Sequence, residues 1–312
     1  MDKITIVGAG RVGESTAQFM AAKDMCREIA LVDINQGAAE GAALDIQEVA
    51  PLFEYDTRLH GGSDSALMAD SDLVIVTAGL PRKPGMSRED LLASNIRIVD
   101  GIIDDVMEYA PDCLILFVTN PVDVVTYYAW KKTGWSRNRI FGQAGVLDSS
   151  RMASFLSLET GYSSLDINTM VLGGHGDTMV PMRRYTTIAG IPISNFIGKE
   201  KFDEIAERTR HGGAEILALR QNSSAYDAPA ASVAEMVDAV VHDRKRILPT
   251  VSILDGEYGH DDIAIGVPAV LGKNGMEKII LLDMNDEETT MFHNSANIVQ
   301  RQIDLMKQIT GL

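Results

Sequence analysis

The segment Lys3-Ile4-Thr5-Ile6-Val7-Gly8-Ala9-Gly10-Arg11-Val12-Gly13 carries the architecture of the chain. A β-branched run passes without a break into a G-x-G-x-x-G turn, and helical patterning follows from Arg11 to Lys23. The first glycine permits a tight turn, the second lets the backbone approach a pyrophosphate, and the third lets helix and strand pack closely. The helix N-terminus then offers unpaired N–H groups and partial positive charge to phosphates. Gly8, Gly10, Arg11, Val12 and Gly13 therefore read as the phosphate-binding turn of a dinucleotide site. A glycine-rich turn alone need hold nothing, so context matters. Asp33 ends the next apolar run, 20 residues after Gly13. A carboxylate there accepts hydrogen bonds from the adenosine ribose and repels a 2′-phosphate, so the expected cofactor is NAD rather than NADP.

Outward from this segment, short β-branched runs alternate with helical stretches. The strand candidates are Lys3–Val7, Ile29–Val32, Thr57–His60, Leu73–Thr77, Leu114–Thr119 and Arg139–Phe141, and a second helix is expected over Asn95–Tyr109. Unalternated apolar runs such as Leu73-Val74-Ile75-Val76 indicate burial on both faces, as in a parallel sheet. The expected fold is α/β, a doubly wound parallel sheet of Rossmann type. Beyond it the pattern changes. A helix from about Asp148 leads to a glycine-rich stretch, Leu172–Asp177, then to helical patterns at Lys201–Leu219 and Ala228–Arg244. Strand-like runs follow at Thr250–Leu254, Ile263–Leu271 and Glu277–Leu282, with Lys273-Asn274-Gly275 as a hairpin turn, and a helix runs from Asp286 to Gln308. This half reads as α+β with antiparallel strands. The expected division is 1–145 for the dinucleotide and 146–312 for the substrate, with no low-complexity linker between them.

Composition narrows the function. The 312 residues carry a formal net charge of −16, which repels nucleic acid and anionic lipid. An anionic substrate would then need a local island of arginines. Two cysteines, Cys26 and Cys113, cannot build a disulfide framework, and a reducing compartment fits them best. The apolar run at the N-terminus is too short for a signal peptide, and no stretch approaches the roughly 18–20 apolar residues of a membrane span. These features lead to the expectation of a cytoplasmic protein. No H-E-x-x-H, no phosphate-loop lysine motif and no cysteine ligand pair occurs, so no metal site is expected.

Reduction of a 2-oxo acid needs a cation for the carboxylate, a donor for the carbonyl, a proton-transfer group and a nicotinamide alongside. Four segments have the residue types for it. They are Ala78-Gly79-Leu80-Pro81-Arg82-Lys83-Pro84-Gly85-Met86-Ser87-Arg88, Thr119-Asn120-Pro121, Leu147-Asp148-Ser149-Ser150-Arg151 and Gly173-Gly174-His175-Gly176-Asp177. The first follows a buried strand and forms a basic island with loop-forming prolines and glycine. Asp148 and Arg151 share a helical face by spacing, though Asp148 also reads as a helix N-cap. Composition alone does not select His175 from His60, His211, His242, His260 and His293, but its flanking glycines allow close backbone approach.

Together with the glycine turn, these segments resemble the signature segments of the lactate/malate dehydrogenase family, in the family's order and along the whole chain. The resemblance implies that His175 is the acid/base and Asp148 its carboxylate partner. It implies that Arg151 grips the carboxylate beside the reacting carbon, that Arg88 polarises the carbonyl under a lid, and that Asn120 contacts nicotinamide ribose and substrate. Asn95 is placed with Asn120 among the cofactor contacts. Arg82 holds a second carboxylate in malate enzymes of the family, where lactate enzymes carry glutamine. One ion of a buried pair left alone costs roughly 3–5 kcal/mol, which favours a dicarboxylate. The expected reaction is NAD-dependent interconversion of malate and oxaloacetate. Lactate or another 2-hydroxy acid is the nearer alternative, and a non-catalytic NAD-binding redox sensor the more distant one. The resemblance also implies a homo-oligomer, with a tetramer favoured over a dimer. Further substrate contacts are expected from residues 222–232 without assignment.

Overall fold

Strand β1 (Lys3–Val7) pairs in parallel with β2 (Glu28–Val32) on one side and with β4 (Leu73–Val76) on the other. The glycine turn that follows β1 therefore emerges where the strand order reverses, the place where open α/β sheets bind ligands. The computed structural model describes residues 1–80 and 87–312, with Arg88 described in its backbone alone. Around β1 and β2 lie α1 (Arg11–Ala21), α2 (Gln36–Phe53) and β3 (Arg58–Gly62), and after β4 come α3 (Arg88–Tyr109), β5 (Leu114–Phe117), α4 (Val122–Thr133) and β6 (Ile140–Gln143). Every residue of β4, β5 and β6 is buried, as the unalternated apolar runs require. Helix α1 turns Gly13, Thr16, Ala17, Met20 and Ala21 toward the core.

The remaining elements are α5 (Gly145–Thr160), the short strands β7 (Ile167–Asn168), β8 (Val171–Leu172), β9 (Val180–Pro181), β10 (Thr187–Ile188) and β11 (Ile191–Pro192), then α6 (Lys199–Arg220), α7 (Asp227–Val241), β12 (Arg246–Asp255), β13 (Asp261–Gly272), β14 (Gly275–Ile279) and α8 (Asp286–Thr310). The three antiparallel strands expected in this half are present, and they extend the first sheet instead of forming a separate one. β12 pairs with β6 through Thr250↔Gln143 and Val251↔Gly142, giving a nine-stranded order β14-β13-β12-β6-β5-β4-β1-β2-β3. A second core around Met152, Leu156, Ile167, Phe202 and Ile205 lies between α5 and α6. Helix α3 begins at an Asp90–Ser87 capping box, well before the expected start at Asn95. Among the described residues, no helix is long and apolar enough to cross a membrane.

Candidate active site

The three glycines of the turn meet three different surroundings. Gly8 has φ +107, and a Cβ there would lie 2.6 Å from the Ala78 nitrogen. A Cβ on Gly13 would lie 1.9 Å from the Gly8 carbonyl oxygen, so only hydrogen allows α1 to close against the turn. A Cβ on Gly10 would have nothing within 4 Å. That open ground in front of the N-terminus of α1 fits a diphosphate, which needs close backbone approach and free N–H groups. Arg11 and Val12 open the helix, and the Arg11 guanidinium lies 5.3 Å from the ring centre of Tyr226, within the 222–232 stretch. Asp33 is tied to the turn. Its Oδ2 accepts the Ala9 N–H at 2.8 Å, and its Oδ1 accepts the Asn35 N–H at 2.8 Å. Each carboxylate oxygen keeps a lone pair for a ribose hydroxyl. The residues present thus fit an adenine dinucleotide.

Asn95 is placed by its own side-chain amide. It is 1% exposed, its Nδ2 donates to the backbone oxygens of Leu80 (3.2 Å) and Asn120 (2.7 Å), and its Oδ1 accepts the Leu80 N–H at 2.8 Å. Both amide hydrogens are used, so Asn95 ties the chain after β4 to the chain after β5. It shapes the rim beside Asn120, the residue with which it is grouped as a cofactor contact.

His175 stands on the loop after β8, and glycine is needed on either side. Gly173 has φ +84 and Gly176 φ +103, while a Cβ on Gly174 would lie 2.6 Å from Val299 of α8. Ser295 of α8 accepts the Gly174 N–H at 2.8 Å. The His175 N–H is taken by Asp123 Oδ2 at 3.0 Å. The His175 imidazole meets Asp148 through Nδ1 and Oδ2 at 3.0 Å. Asp148 is 1% exposed and sits inside the first turn of α5, whose N-cap is Ala144; the N-cap reading of Asp148 is set aside. One turn on, Arg151 Nη1 lies 3.4 Å from Asp148 Oδ1, while its Nε is buried without a partner among the described residues. Helix α6 passes over Arg151 at Gly212, where a Cβ would come within 3.3 Å of its Cδ. His175, Asn120 and Asp123 line one cavity of about 290 Å³. Arg82 and the side chain of Arg88 lie outside the described residues.

Burial disfavours the imidazolium of His175. The charge and hydrogen bond of Asp148, with the charge of Asp123, outweigh it against Arg151 and raise the His175 pKa above its ordinary value. Burial also pushes Asp123 up to about 6, although the His175 N–H and ring charge pull it down. An acceptor-only carboxylate at Nδ1 assigns the Nδ1–H tautomer, leaving Nε2 free to exchange a proton with a substrate.

Asp123, Ser295 and Gly212 had escaped the sequence reading. Adjacent glycines, Gly212 and Gly213, inside a 22-residue helix were the one available signal, since glycine weakens a helix interior. Nothing in the sequence marked Asp123 apart from other first-turn acids.

An imidazole held by a buried carboxylate, beside an arginine and at the rim that carries a dinucleotide turn, can move a proton while a hydride moves, and places the chain among nicotinamide-dependent oxidoreductases. Comparison with known proteins refines this. Residues 2–142 match the lactate/malate dehydrogenase NAD-binding domain, and residues 145–310 match the alpha/beta C-terminal domain of the same family. The chain belongs to the lactate/malate dehydrogenase family. It is similar to the malate dehydrogenase of Thioalkalivibrio sulfidiphilus, with 62% identity over 98% of this chain and 100% of that one. The malate dehydrogenase of Nitrosococcus oceani is 59% identical over 96% and 97%. Among solved structures, the malate dehydrogenase of Salinibacter ruber matches with a TM-score of 0.95 and 43% identity over 99% of both chains. A lactate dehydrogenase of Cryptosporidium parvum, complexed with lactic acid and NAD, matches at TM-score 0.94 and 34% identity over 98% of both.

Proposed function

We propose that the chain is an NAD-dependent malate dehydrogenase, interconverting L-malate and oxaloacetate. The observation that carries this reading is the His175–Asp148 pair, whose imidazole lines one cavity with Asn120. The malate dehydrogenases at 62% and 59% identity support malate as the substrate. Bound NAD supplies the hydride acceptor. Nε2 of His175 takes the hydroxyl proton of malate, and Asp148 holds the ring and stabilises the imidazolium. Arg151 pairs through its planar fork with the carboxylate beside the reacting carbon, and that partner satisfies its lone buried Nε. The substrate's second carboxylate is assigned to Arg82 and the carbonyl oxygen to Arg88, on sequence grounds. Asn120 aligns substrate and nicotinamide ribose.

The test is consumption of NADH with oxaloacetate, pyruvate as the competing substrate and NADPH as the competing coenzyme. Arg82→Gln is expected to lower kcat/KM for oxaloacetate by about 10²-fold or more and to raise relative use of pyruvate. An unchanged ratio rejects malate as the specified substrate. His175→Asn is expected to cost about 10²–10⁴ in kcat with NADH binding retained, measured by fluorescence titration. The same reading takes 1–145 as the coenzyme half, 146–312 as the substrate half, the cytoplasm as the location and a tetramer as the assembly.

A further inference from the structure

Asp123 opens the first turn of α4, three residues past Asn120, and lines the same cavity as His175. It is 4% exposed. Oδ2 holds the His175 N–H, and Oδ1 is buried with no partner among the described residues. The hydrogen bond alone does not require a carboxylate. An amide oxygen would accept the same N–H without burying a charge, and a buried carboxylate oxygen lacking a donor is costly. The charge therefore has work that the N–H bond does not account for, and the imidazole of His175 is a charge that acts on this carboxylate. Among the described residues, the charged groups facing the pair are Asp148 and Arg151 from α5, Asp177 from the loop and Glu89 from the start of α3; α8 contributes the uncharged Val299, Gln302 and Leu305. Asp148 and Arg151 oppose each other at 3.4 Å, which leaves Asp123 as a further buried negative charge against the ring.

We propose that Asp123 is a positioning residue of the proton-transfer centre: it fixes the His175 main chain through the N–H, and its buried charge joins that of Asp148 in holding the proton on the imidazole. The inference rests on the reading of His175 as the acid/base group. Because burial sets Asp123 near 6, its charge is present through the neutral range in which the imidazole exchanges its proton.

The experiment is an NMR titration of the His175 ring in the full-length chain labelled at histidine, with His175→Asn identifying its resonance. Asp123→Asn keeps an acceptor for the N–H and removes the charge. Its His175 midpoint is expected to move to lower pH by roughly half a pH unit or more, and the alkaline limb of oxaloacetate reduction to move with it. KM for NADH should stay within about twofold, since no coenzyme contact is altered. An unmoved midpoint overturns the inference. Should Asp123→Asn fail to fold, carboxyl-carbon NMR on the unmutated chain decides. An aspartate titration mirrored as a second step in the His175 ring signal supports the coupling, and a ring signal that shows only its own titration overturns it. If the midpoint moves but no NADH is consumed with oxaloacetate, the functional reading fails while the link between Asp123 and His175 stands.

Discussion

Asp148 has to satisfy two partners at once. One oxygen meets the His175 ring at 3.0 Å and the other meets Arg151 at 3.4 Å, in a pocket that leaves it 1% exposed. Removing its charge leaves an imidazole that is easier to deprotonate. Asp148→Asn is therefore expected to shift the pH dependence in a definite sense. Oxaloacetate reduction needs the protonated ring and fades as pH rises through the raised His175 pKa, whereas malate oxidation needs the neutral ring and grows over the same range. In Asp148→Asn both limbs should move to lower pH, and initial rates in the two directions check this. The same raised pKa adds stability below the unfolded His175 value that is lost as pH rises through the folded one. At this scale the motif histidine, its aspartate and Arg151 were legible because each sits in a segment with a distinctive neighbourhood. Asp123 was not, since its significance lies in a contact with a residue 52 positions away.

The glycine turn lets one element be dissected by two substitutions. Gly10→Ala adds a methyl group where nothing lies within 4 Å, at φ −74, which any residue adopts. It should leave thermal stability within about 0.5 kcal/mol and weaken NADH binding, because the methyl would occupy the ground of the diphosphate. Gly13→Ala places its Cβ 1.9 Å from the Gly8 oxygen, and is expected to destabilise by about 1–3 kcal/mol or more along with the loss of NADH affinity. Equal Tm losses in the two variants would contradict this division of labour, and calorimetry beside NADH titration measures it. Element identity was well read where apolar runs were continuous, as in β1, β4 and β5. Boundaries were read poorly. α3 starts at Arg88, because a capping box rather than periodicity sets that end, and α5 starts at Gly145 without a side-chain cap to mark it.

The molecule is joined more tightly than its two-part sequence pattern suggests. The ladder between β6 and β12 has only two residue pairs in register, and such a junction leaves no mark in the sequence; yet it makes one sheet of nine strands. Helix α7 adds to the joint through its contacts with α1, and Tyr226 lies over Arg11 of the glycine turn. A chain cut after residue 145 would bare the apolar edge of β6. It is expected to be poorly soluble or to lose cooperative unfolding, while the intact chain melts in one calorimetric transition. A stable, cooperatively melting fragment would count against this. Joining also constrains change at Asp33. The carboxylate that would turn away a 2′-phosphate is the same one that latches Ala9 and Asn35. A single replacement meant to admit the phosphorylated coenzyme would also unlatch the turn it must sit on. Nucleotide preference here is thus mortgaged to the integrity of the fold, and any drift toward the other coenzyme has to begin with a substitution that first secures the turn by other means.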